Sequence, residues 1–151
     1  MLPKWHILIG FISALILVLF FSLPLTAGII IFFSSVLLDI DHYLIYIYQT
    51  KNLGLKKAFN WAITEEKIWC QLSKKEIAKY KMHIFLFHGI ELFLILLILS
   101  QFHIFFQWVL IGFLIHMTAD MIDLRCKRFP LYAKISPILV WQKNKNKKEL
   151  Q

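Results

Sequence analysis

Ten residues able to ligate a metal ion or move a proton stand in otherwise apolar stretches: His6; Asp39, Asp41 and His42; His83, His88 and Glu91; His116, Asp120 and Asp123. The segment Asp39-Ile40-Asp41-His42 interrupts an apolar run from Leu23 to Tyr48. Unpaired charge in a low-dielectric setting is costly, so this cluster needs a cation or a polar cavity. His116 and Asp120 are four residues apart and share a helix face, with Asp123 one turn further along it. His88 and Glu91, and likewise Asp39 and His42, are three apart and also share a face. Asp41 points elsewhere on a regular helix; either the helix is distorted there, or Asp41 orients an imidazole from behind. His83 lies about 140° around a helix from His88, so both reach one site only if His83 sits in an irregular first turn. Mixed imidazole and carboxylate ligands suit Zn, Mn or Fe(II) better than Ca or Mg, and a set without Cys argues against a structural zinc site. His6, Asp39, Asp41, His42, His83, His88, His116 and Asp120 are the candidate ligands, enough for two or more ions. Asp123 and Glu91 are candidate catalytic bases. Bound metal would lower the pKa of water and polarise a phosphoryl or carbonyl oxygen.

These residues need elements to position them. The 151-residue chain is 59% hydrophobic, and its mean hydropathy is strongly positive. A soluble domain this short has too little surface to cover so much apolar helix, which points to membrane integration. The expected fold is all-α: an integral-membrane four-helix bundle with spans at about 5–21, 25–48, 83–100 and 104–123. Trp5 suits an interfacial anchor, Ser22–Pro24 a tight turn, and the spans join with the second running straight on from the first, unlike a cleaved leader. Residues 53–72 alternate Leu55, Phe59, Ala62, Ile63 and Trp69 with Lys and Glu. They read as an amphipathic helix, either on the cytoplasmic membrane surface or packed on the protein itself. Ser73-Lys74-Lys75-Glu76 has the form of a capping box. A helix starting there would run unbroken through Tyr80 and His83 into the third span. The spans and surface helix form one domain, residues 1–142, and residues 143–151 a basic disordered tail.

The net charge is +8, but the placement of the charge removes nucleic acid from consideration. All 17 Lys and Arg fall at Lys4, between Lys51 and Lys81, or from Arg125 onward, leaving the turns at 22–27 and 100–103 bare. That is the positive-inside pattern of a multi-pass inner-membrane protein with both termini cytoplasmic and anionic headgroups as the surface partner. In this topology the metal-ligating residues of spans two to four, and His6, all fall in the cytoplasmic half; His103 alone lies in the outer turn. Cys70 and Cys126 both fall on the cytoplasmic side, where a disulfide is not expected.

The same residues resemble the LexA-regulated, membrane-bound metal-dependent hydrolases, small inner-membrane proteins. That family's pattern is an early His, a P-D-[IL]-D-H segment, H-R-x-x-T-H-S and G-x-x-x-H-x-x-x-D. His6 stands for the early His. Leu38-Asp39-Ile40-Asp41-His42 matches the second segment without its Pro, and His83-Ile84-Phe85-Leu86-Phe87-His88-Gly89 keeps both His at the family spacing. Gly112 through His116 to Asp120 matches the fourth. The H-x-x-x-D element also looks like that of zinc-dependent phospholipases C and related nucleases. The resemblance covers roughly residues 6–123 and implies a metal-dependent hydrolase with ligands at the matching positions. Ile84, Phe87 and Gly89 replace the family's Arg, Thr and Ser, so a phosphate-contacting cation and a hydroxyl donor are missing from that motif.

The expected function is hydrolysis of a phosphoester, such as a phospholipid headgroup or another amphiphilic phosphoester, by metal-activated water. The alternative is a non-catalytic membrane metal-binding protein or a metal or proton transporter. Against it, the outer half offers only small hydroxyls and His103, so no continuous polar path is visible. A membrane-anchored interaction protein would leave the aligned ligands unexplained.

Overall fold

The computed structural model describes residues 3–150, and among these every regular element is a helix. In chain order they are α1 (Pro3–Phe20), α2 (Leu25–Leu37), α3 (Ile40–Thr50), α4 (Leu55–Gln71), α5 (Lys74–Ile77), α6 (Ile90–Leu99), α7 (Ile104–Cys126), α8 (Tyr132–Ile135) and α9 (Pro137–Asn144). A left-handed Ser22, φ 54°, turns the chain from α1 into α2. Pro24 precedes the first turn of α2, where its fixed φ costs nothing and no amide hydrogen is needed.

α2 lies between α1 and α7, and α6 packs on the other side of α7. The crossings are close because small residues line them. A Cβ on Gly112 of α7 would come 2.6 Å from the carbonyl oxygen of Ile31 on α2. Ser34 and Ser35 face these crossings with their hydroxyls satisfied inside their own helix, on the Ile31 and Phe32 carbonyls at 3.1 and 2.8 Å. Leu38, Leu96 and Phe113 form the apolar core at this end, with Leu92, Phe93 and Met117 against them.

Two stretches are long and apolar enough to cross a membrane: Leu25–Thr50, taking α2 and α3 together, and Ile104–Cys126. α1 and α6 are apolar but shorter. The span expected at 83–100 is therefore corrected: helix begins only at Ile90, and its ten residues reach about 15 Å, half of a ~30 Å hydrocarbon core. The unbroken helix from Ser73 is corrected as well. The capping box forms, with Ser73 Oγ accepting from Glu76 N and Glu76 Oε2 accepting from Ser73 N, but the helix stops at Ile77.

Both ends of the segment between Ile77 and Ile90 are held outside helical form. Gly89 has a φ of +116°, which no helix allows, and a Cβ there would meet the Ile135 carbonyl oxygen of α8 at 2.7 Å. Upstream, residues 79–82 pair with the C-terminal stretch. Lys81 N donates to Lys148 O at 2.8 Å, and Lys148 N to Lys79 O at 3.0 Å. Asn144 receives from Met82 N and donates to Met82 O, at 3.0 and 2.8 Å. The segment expected as a disordered tail is thus bonded as far as Glu149, whose Oε1 accepts from Lys81 Nζ at 2.7 Å.

α4 packs on α3 through Tyr46 and Trp61, whose ring centroids are 5.7 Å apart. Ala58 and Trp69 are buried on that face, while Leu53 and Leu55 at its start and Phe59 are exposed. Of the two placements open from its amphipathic pattern, packing on the protein accounts for the first set of residues.

Candidate metal centre

The centre forms where α1, the α2–α3 break, the loop before α6, α7 and α8 meet. The break is local. Asp39 has ψ near 1°, and its carbonyl takes the His42 amide at 3.1 Å, a tightened turn in place of the regular ladder. This swings Asp39 and His42 to one side, with 3.6 Å between His42 Nε2 and Asp39 Oδ1. Asp41 is buried on another.

His88, His116 and Asp120 are the deepest members, each at most 1% exposed. His88 Nε2 and His116 Nε2 face each other at 2.9 Å. Asp120 Oδ2 is 3.2 Å from both. The other ring nitrogens settle the protons. His116 Nδ1 lies 2.8 Å from the Ser35 carbonyl oxygen, which can only accept, so Nδ1 carries hydrogen. His88 Nδ1 lies 2.9 Å from Asp41 Oδ2, which also receives the Phe87 amide at 3.2 Å. In the neutral imidazoles both Nε2 atoms are then acceptors, aimed at one another and at a carboxylate. Three converging acceptors need a shared proton or a cation among them. Their separations are close to the ~3.3 Å expected of two ligands about 2.0–2.1 Å from a single tetrahedral ion.

Two further sets of ligand atoms adjoin this one. His6, Asp39 and His116 form one and Asp39, His42 and His88 another, the atoms of each lying within 4.8 Å of one another. Each set shares a residue with each of the others. His6 stacks on His116 with ring centroids 4.0 Å apart, and its Nε2 is 3.3 Å from Asp120 Oδ1. His6 Nε2 and both Asp39 carboxylate oxygens are buried without a hydrogen bond among the described residues. Buried polar atoms left so are rare and point to a missing ligand. The donor set fits a divalent ion of the Zn, Mn or Fe(II) kind, and the buried His/Asp groups lie close enough to hold one.

The remaining expected site residues lie elsewhere. Asp41 stands behind His88, where a carboxylate fixes the tautomer of a ligating imidazole. His83 is turned away and bonds Glu65 of α4, Nε2 to Oε2 at 3.3 Å. This hydrogen bond holds the Glu65 carboxyl below its ordinary pKa, against the opposing effect of burial. Glu91 does not share a face with His88, because the helix begins after His88. It ties α6 to the start of α9, Oε1 accepting from the Ser136 hydroxyl and from Ile138 N. Asp123 pairs with Lys127 at 2.7 Å, and Lys127 also meets Glu66. Burial would push the Lys127 ammonium down, but these two carboxylates hold its pKa above the ordinary value.

Lys134 on α8 escaped the sequence reading. Its Nζ is 2.6 Å from Asp120 Oδ2 and 3.4 Å from both His42 Nε2 and His88 Nε2. Burial disfavours its charge, yet Asp120 and Asp39 outweigh this and keep the ammonium above its ordinary pKa. The one signal available was a lone basic residue within the otherwise apolar stretch Phe129–Trp141.

No family model, curated protein or solved structure matches the chain.

Proposed function

We propose that the protein is a multi-pass membrane hydrolase that cleaves a phosphoester with the help of divalent metal held by the His/Asp centre. The observation that carries this reading is the convergence of His88 Nε2, His116 Nε2 and Asp120 Oδ2, three acceptors with their protons directed elsewhere. In this reading His88, His116 and Asp120, with Asp39, His42 and His6, hold the metal, and bound metal supplies Lewis acidity and an activated water. Asp41 and the Ser35 carbonyl keep the two buried imidazoles in the ligating tautomer. Asp123 lines the cavity beside the centre, and to act as the base in this reading it would have to leave Lys127. The apolar side chains exposed along α1, α6 and α7 support a bilayer around the bundle, with both termini on the cytoplasmic side by charge placement.

Lys134 favours a second reading, a metal-free polar network in which its ammonium alone neutralises the carboxylates. Metal analysis of the purified protein separates the two. The proposal expects stoichiometric Zn, Mn or Fe, lost in His88→Ala, and release of headgroup from phospholipid or phosphate from simpler amphiphilic esters. Metal-free protein whose behaviour is unchanged by His116→Ala or Asp120→Ala would overturn it.

A further inference from the structure

A half-open cavity of about 160 Å³ adjoins the centre, lined by α4, the 82–85 segment, the end of α7 and α8. Its inner end is formed by Asp39, His42 and Lys134, residues of the centre itself. Its walls are apolar, with Trp61 and Trp69 from α4, Met82 and Phe85 opposite, and Leu124 and Phe129 below. The carboxylates that line it have partners: Glu65 is hydrogen-bonded to His83, and Glu66 and Asp123 pair with Lys127. A ligand entering here meets mostly apolar surface along its length, and the Lys134 ammonium, the His42 imidazole and the Asp39 carboxylate at its end. An apolar cavity of about 150 Å³ holds a group the size of benzene. The space therefore holds a short apolar segment beside the reacting group.

We infer that this cavity binds the alcohol side of the substrate, and that the substrate is a phosphate monoester of a single-chain apolar alcohol, its phosphate directed at Lys134 and His42. This rests on the hydrolase reading and narrows its substrate. Cleavage forms a bond from water oxygen to phosphorus and breaks the phosphorus–oxygen bond to the alcohol. The alcohol leaves with a proton from the water, and inorganic phosphate remains.

Trp61 and Trp69 provide a readout independent of turnover. A bromoalkyl phosphate added to the full-length protein in detergent should quench their fluorescence saturably, and the double variant Trp61→Phe/Trp69→Phe should lose that component. Ala62→Phe, which fills the cavity, should weaken alkyl phosphate binding at least tenfold with metal content unchanged. Trp61→Ala, which enlarges it, should shift preference toward bulkier alcohols and serves if Ala62→Phe does not fold. Glycerol phosphate binding as tightly as the alkyl ester, or quenching indifferent to Trp61 and Trp69, would overturn the inference while leaving the hydrolase reading intact. A purified protein without metal would instead remove the hydrolase reading, and saturable quenching would still report on the cavity.

Discussion

At the scale of single residues, the centre depends on what stands behind its ligands. Asp41 touches His88 Nδ1 and the Phe87 amide, and so fixes both the tautomer and the loop that carries the ring. Asp41→Asn should leave His88, His116, Asp120 and Asp39 in place yet lower metal affinity about 10–100-fold, measured by competition with a chromogenic chelator. An unchanged affinity would remove Asp41 from the centre altogether. Lys134 makes a second, opposite prediction. Lys134→Met leaves the Asp120 carboxylate buried without its ammonium partner, and breaking such a pair costs about 3–5 kcal/mol. Metal-depleted Lys134→Met should therefore melt well below the depleted parent, and added zinc should recover most of the loss. His103 shows how ordinary a histidine beside an apolar helix can be: it is exposed and caps α7, its Nδ1 accepting the Phe105 amide at 3.1 Å.

At the scale of elements, two non-helical devices place the ligands. One is the break at Asp39, which lets neighbouring acidic residues serve different purposes. The other is the turn at Gly89, which ends the 78–89 segment with His88 pointing into the bundle. Gly89→Ala should cost about 1–3 kcal/mol, read from denaturant unfolding in detergent, since it combines a left-handed φ with a backbone oxygen close by. The docking of α4 on the same segment has a pH signature. Because the folded protein holds Glu65 below its ordinary pKa, its contribution is complete above the unfolded value and is lost as pH falls through the lower, folded one. Melting temperatures across this acidic range should show a decline that Glu65→Gln flattens; equal slopes for the two proteins would exclude the pair as a contributor.

At the scale of the whole molecule, the proposed topology puts α4, the loop at 78–89 and the chain from Lys127 on one side of the membrane, with the centre just beneath them. Cys70 and Cys126 are free and exposed, and report on that side directly. A membrane-impermeant maleimide should label both in inverted vesicles and neither in intact spheroplasts; the reverse pattern would invert the topology.

The amino-acid pattern by itself determined that the chain is helical and apolar, that its titratable residues gather toward one end, and that His116 with Asp120 and Asp39 with His42 form pairs. Those are consequences of helical periodicity and of the cost of isolated charge in apolar surroundings, both local and readable along the chain. Only the tertiary structure decided the rest. α6 is shorter than the apolar pattern around it: the segment before it ends in a left-handed Gly89 against α8 and pairs with residues 144–148. His83, which could join His88 only through an irregular turn, lies in such a segment yet turns to Glu65, and Glu91, placed by helical spacing on the face of His88, turns to Ser136. Lys134 enters the centre from 14 residues beyond Asp120, through a contact that no periodicity encodes. A cation finds buried carboxylates by where the chain folds back, and that is set by packing across the molecule.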